Sequence, residues 1–114
     1  MKLEKLTEGI VFSHPVEETD RPILAGIRGD DFTLLIDAGN SKVHYQEFED
    51  ALFERGFPQR NALVLTHWHW DHIFGAASAK GPVLAHRLTR EKMKELKAYE
   101  WTDEALEQRV MSGI

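Results

Sequence analysis

Positions 66–72 read Thr-His-Trp-His-Trp-Asp-His, so three of the six histidines in this 114-residue chain fall within six positions, with an aspartate among them. No other segment constrains the chain as strongly. Three imidazoles and a carboxylate at this spacing have one common use, which is to hold metal. The run just before them, Ala62–Leu65, is apolar, short and bounded by Asn61 and Thr66, which predicts a buried strand that delivers the cluster to its end. With strand spacing kept to His69, His67 and His69 project to one side and converge on one ion at roughly 2.0–2.1 Å. Asp71 and His72 follow where the chain turns toward a helix, and there they face a second ion. Neutral imidazole suits zinc, iron, manganese or cobalt, and a carboxylate adds charge and orients a water. Two ions about 3.5–4 Å apart share a hydroxide and polarise a carbonyl or phosphoryl oxygen. The chain has no cysteine, which excludes disulfides, thiolate zinc sites and a cysteine nucleophile.

Around the cluster the chain alternates strand and helix signals. Gly9–Ser13 reads as a strand, and segments 22–27 and 32–36 read as two strands joined at Arg28-Gly29-Asp30-Asp31. The turn formers Asp37-Ala38-Gly39-Asn40 then break the second arm. Phe48, Ala51 and Leu52 share one face of a helix predicted from about Val43 to Arg55, with Gly56 as terminator. Beyond the cluster we expect a short helix over 73–80 in which Gly75 lets backbone approach a crowded site, a strand over 82–85, a charged helix over 89–98 and another over 103–111. That order predicts an α/β layer arrangement.

Composition narrows the function classes. A net charge of -5 with a pI near 5.6 repels phosphate backbones, so no nucleic-acid partner is expected. No run approaches the roughly 18 apolar residues of a membrane span, so no membrane partner is expected. A reducing, cytoplasmic location fits the absence of cysteine.

Segment 66–75, preceded by the strand ending Leu34-Leu35-Ile36-Asp37-Ala38-Gly39, resembles the N-terminal half of a metallo-β-lactamase-fold hydrolase. The resemblance implies an α/β fold in which residues 1–114 are a partial domain, the N-terminal half of an αββα sandwich with the C-terminal half absent. It implies two zinc ions, with iron or manganese as alternatives. His67 and His69 would be ligands of the first ion, Asp71 and His72 of the second, and Asp71 would also serve catalysis. Asp37 would support the metal-binding loops without touching metal. The implied reaction is hydrolysis of a small-molecule ester, thioester, lactam or phosphoester.

Family members complete the site with later ligands, but after His72 this chain offers one histidine, His86, and one aspartate, Asp103. His86 follows a strand end where the family has no ligand, and Asp103 reads as a helix cap. Each ion would thus have two protein ligands where catalytic zinc takes three and a water, so the chain alone is expected to be incomplete and inactive. A homodimer could cover the exposed sheet face. The rival reading is a noncatalytic metal-binding or self-associating module. The remaining candidates have plainer readings: His14 and His44 as loop or helix-start residues, Tyr99 and Trp101 as packing, and Lys92, Lys94 and Lys97 as a solvated helix face. Glu49 and Glu54 lie on a helix away from the metal motif, which argues against a catalytic carboxylate pair.

Overall fold

The computed structural model describes residues 1–98. Six strands form one sheet in chain order: β1 (Leu3–Thr7), β2 (Ile10–Ser13), β3 (Ala25–Arg28), β4 (Thr33–Ile36), β5 (Asn61–Leu65) and β6 (Val83–Ala85). The first four pair antiparallel, and β4, β5 and β6 run parallel. The parallel pairings require crossovers, and helices supply them. Helix α1 (Lys42–Glu54) links β4 to β5. Helix α2 (Trp70–Ile73) and the 3-10 segment Phe74–Ser78 link β5 to β6, and α3 (Arg87–Lys97) follows.

Helix α1 begins and ends where its sequence says it should. Ser41 caps it, its Oγ accepting the His44 N–H at 3.1 Å, and Gly56 at φ 82° closes it. There the Gly56 and Phe57 N–H groups bond back to Phe53 and Leu52 carbonyls, the paired pattern that a left-handed residue allows. The helix lies on the sheet row Val11, Gly26, Leu35 and Leu63, which are aligned partners across β2 to β5. Contact is close at Gly26, where an added Cβ would come within 2.7 Å of Leu52. Tyr45, Phe48 and Leu52 are fully buried against this row. Glu49 is also fully buried, and its carboxylate takes the Lys80 ammonium at 3.1 Å and the Asn61 amide at 3.2 Å. It is therefore a clamp between α1, β5 and the approach to β6.

The opposite face of the sheet carries a second apolar row. Phe12, Ala25, Ile36, Val64 and Leu84 align across β2 to β6, and all are half-buried or exposed. Ile10, Ile27, Leu34 and Ala62 form a parallel row beside them.

Several expectations shift. Strand β1 has no apolar pattern, since only Leu3 is buried, and pairing with β2 alone makes it a strand. Leu24 keeps one backbone bond to β2, its carbonyl accepting the Ser13 N–H at 2.9 Å, but it gives its own N–H to the Ser13 hydroxyl at 2.9 Å, so β3 starts at Ala25. The short helix expected over 73–80 starts earlier, at Trp70, and tightens into a 3-10 turn from Phe74. Helix α3 starts at Arg87, not Thr89, because His86 caps it by accepting the Leu88 N–H at Nδ1. The expected helix over 103–111, with Tyr99, Trp101 and Asp103, lies outside the described residues.

His44 stands at a helix start as expected, but it is buried rather than solvated. It is 1% exposed, inside the first turn of α1, and its Nδ1 accepts the Asn40 N–H at 3.3 Å. Burial, reinforced by the Arg21 guanidinium and opposed by Glu47, lowers its pKa to about 4. The folded value lies below the unfolded one, so as pH falls below 6.5 the unfolded chain takes up the proton first. Stability that is complete above pH 6.5 should fall on the way to pH 4, by on the order of 3 kcal/mol. His44→Asn, which removes the titrating ring, should flatten urea-unfolding stability over that window. An unchanged slope would contradict the assignment.

Candidate metal centre

The carboxyl ends of parallel strands are where α/β sheets present ligand sites, and β4 and β5 end side by side. Past β4, Asp37 (φ 64°) and Gly39 (φ 80°) are both left-handed, which turns the chain sharply into α1. Past β5, Thr66–His69 are irregular until α2 begins. The strand therefore stops before the histidines, so strand alternation is not what brings their side chains together.

A carboxylate does much of that work. Asp37 is 5% exposed, and its Oδ1 accepts the Thr66 N–H at 2.8 Å and the Thr66 hydroxyl at 2.9 Å. Its Oδ2 lies 2.8 Å from both that hydroxyl and His72 Nδ1. The Thr66 hydroxyl in turn lies 2.8 Å from His67 Nδ1. A carboxylate only accepts, so His72 carries its proton on Nδ1. A threonine that donates to Asp37 accepts from His67, whose proton is therefore on Nδ1 as well. In the neutral rings the lone pair then sits on Nε2, the atom free to ligate a metal. Backbone bonds complete the brace: the Ala38 N–H donates to the His72 carbonyl at 2.8 Å, and the Gly75 N–H donates to the Gly39 carbonyl at 3.3 Å.

The expected ligands gather around this brace. The His67 ring centroid lies 4.2 Å from that of His72 and 4.8 Å from that of His69. The Asp71 Oδ2 lies 3.7 Å from His72 Nε2. Among the described residues, Asp37, His67 and His72 bring ligand-capable atoms within 4.8 Å of one another, while His69 and Asp71 stand outside that set. Asp37 belongs to this set, and both of its oxygens also accept hydrogen bonds from the loop. Three imidazoles and a nearby carboxylate are a donor set that fits a borderline divalent ion.

Sequence reasoning passed over Thr66, whose hydroxyl relays Asp37 to His67; a small hydroxyl residue beside the first histidine was its only signal. It also read Lys92 as merely solvated, whereas its ammonium sits 5.0 Å above the Trp68 ring, whose indole meets His69 edge-on at 4.7 Å. Trp68, Trp70 and Phe74 stay partly exposed around the cluster. His86 has its Nδ1 committed to the α3 cap.

A sequence model of the metallo-beta-lactamase superfamily matches residues 26–110, more than half of the chain and the whole of this site. The chain belongs to that superfamily. No curated protein matches it. Among solved structures it is similar to the metallo-beta-lactamase from Pontibacter korlensis, at 22% identity and a TM-score of 0.71 over 84% of this chain and 48% of that one. It is equally similar to one from Hirschia baltica, at 21% identity and a TM-score of 0.71 over the same shares. FIM-1 from Pseudomonas aeruginosa, solved in a mono-zinc form, aligns at 16% identity and a TM-score of 0.70 over 82% of this chain and 45% of that one. These likenesses establish the fold, mixed α/β as expected, and the chain spans about half the length of the superfamily structures it matches.

Two variants test the brace. Asp37→Asn keeps the shape but donates where His72 and Thr66 need an acceptor, so zinc affinity measured against a chromophoric chelator should fall about 10- to 100-fold. Wild-type affinity would show that Asp37 does not orient the rings. At Gly75 an added Cβ would stand 2.0 Å from the Ala38 carbonyl oxygen and 2.7 Å from Tyr45 Cβ. Gly75→Ala should therefore lower Tm by about 10 °C or more, as a loss of 2–3 kcal/mol does in a domain this size.

Proposed function

We propose that this chain is the metal-binding, N-terminal half of a metal-dependent hydrolase. The observation that carries the reading is the brace: one buried carboxylate fixes two imidazoles, directly and through Thr66, in the tautomer that ligates. His67 and His69 would hold one ion, and Asp71 and His72 a second, with zinc the first choice and iron or manganese as alternatives. The chemistry such a metal would supply, once held by these residues, is water activation and polarisation of a carbonyl or phosphoryl oxygen. Asp71, in the first turn of α2, would accept a hydrogen bond from the attacking water and orient it. The half-exposed Trp68 and Trp70 would border the small-molecule substrate, an ester, thioester, lactam or phosphoester. We place the protein in the cytoplasm, away from membrane and nucleic acid; among the described residues no helix is long and apolar enough to cross a membrane.

Two ligands per ion fall short of the three that catalytic zinc takes. The missing ligands would come from a second half that packs on the row Phe12, Ala25, Ile36, Val64 and Leu84 and completes an αββα sandwich. The same apolar face favours a second reading, in which a noncatalytic module pairs with another copy through it.

Elemental analysis after equilibrium dialysis against zinc tests the first reading. The chain should retain zinc, and His69→Ala should weaken retention by about tenfold or more without changing the circular dichroism spectrum. Zinc retention indifferent to His69 would overturn it. A stable dimer that binds no metal would select the second.

A further inference from the structure

The hydrogen bonds that Thr66, His72 and Gly75 make with the turn after β4 fall on residues 37–39. Thr66 and His72 bond to the Asp37 carboxylate, the His72 carbonyl to the Ala38 N–H, and the Gly75 N–H to the Gly39 carbonyl. Asp37 is left-handed at φ 64°, a conformation that residues with a Cβ adopt seldom and that contacts around the turn must hold.

Two contacts hold this turn from behind. The Asn40 side chain donates to the Thr19 and Asp20 carbonyls at 2.7 and 3.2 Å. On the other side stands His44, fully buried, with Nδ1 accepting the Asn40 N–H at 3.3 Å. Its ring lies so close to Gly39 that an added Cβ there would be 2.4 Å from Nδ1. An apolar residue would fill the same space, but it would leave the Asn40 N–H without its acceptor.

We propose that His44 is a positioning residue for the metal centre: its ring nitrogen fixes the 37–40 turn, and so aims the Asp37 carboxylate that orients His67 and His72. This rests on the metal-binding reading above. His44 would touch neither metal nor substrate.

The two amides that mimic imidazole separate this role from simple packing. In His44→Asn the side-chain oxygen takes the place of Nδ1 and keeps the Asn40 bond; in His44→Gln it takes the place of Nε2 and loses it. Cobalt titrated into the whole chain reports affinity and, through its visible spectrum, ligand geometry, with the folded fraction checked by circular dichroism. His44→Gln should bind cobalt about tenfold or more weakly with an altered spectrum, while His44→Asn stays within about threefold of wild type with an unchanged one. Equal behaviour of the two variants, whether both weakened or both like wild type, would overturn the proposal. His69→Ala run in parallel keeps the failures apart. If it abolishes binding while the two amides behave alike, only the role of His44 falls. If it leaves cobalt binding intact, the metal site itself falls.

Discussion

The Asp37 carboxylate is the interaction on which the rest of the site depends. It is almost fully buried, and leaving such a group without partners would cost several kcal/mol. Its two oxygens collect the Thr66 N–H, the Thr66 hydroxyl and His72 Nδ1, all at 2.8 or 2.9 Å. Satisfying the carboxylate and ordering the histidine loop are thus the same event. The ends of two neighbouring strands are joined by a side chain at the point where their backbone ladder stops.

That arrangement needs rigid support, and α1 supplies it. The helix is seated on the sheet at Gly26, tied to β5 and to the approach to β6 by Glu49, and pressed against Gly75 where Tyr45 leaves no room for a side chain. Its capping serine and buried His44 define the far side of the Asp37 turn. The 3-10 segment after α2 packs along the same helix, so both loops of the site are anchored to one rigid body.

Membership of the metallo-beta-lactamase superfamily accounts for the layer order and for the position of the histidines at the strand ends. It does not by itself choose a reaction, because function resides in the site and one fold carries many chemistries. The two faces of the sheet differ sharply. One is sealed by α1, and the other presents aligned apolar residues across five strands that remain at least partly open to solvent.

Much of this was legible in the residues. The C-terminal end of α1 followed from Gly56, β5 from its short apolar run, and the candidate ligands from histidine spacing that few structural roles explain. The supporting role of Asp37 came from resemblance; the hydrogen bonds from its carboxylate to Thr66 and His72 came from the structure. Other features were invisible to local pattern. Strand β1 exists only because β2 offers it an edge. His44 looks like any polar residue in a helical first turn, and its burial is set by a turn packed against it. The Thr66 relay joins side chains 29 residues apart in sequence, Asp37 and Thr66. Sequence alone determined the elements and the ligand types, because capping, periodicity and donor chemistry act over a few residues. Only the tertiary structure decided how the histidine rings are held, because that depends on where a buried carboxylate from another strand finds its hydrogen bonds.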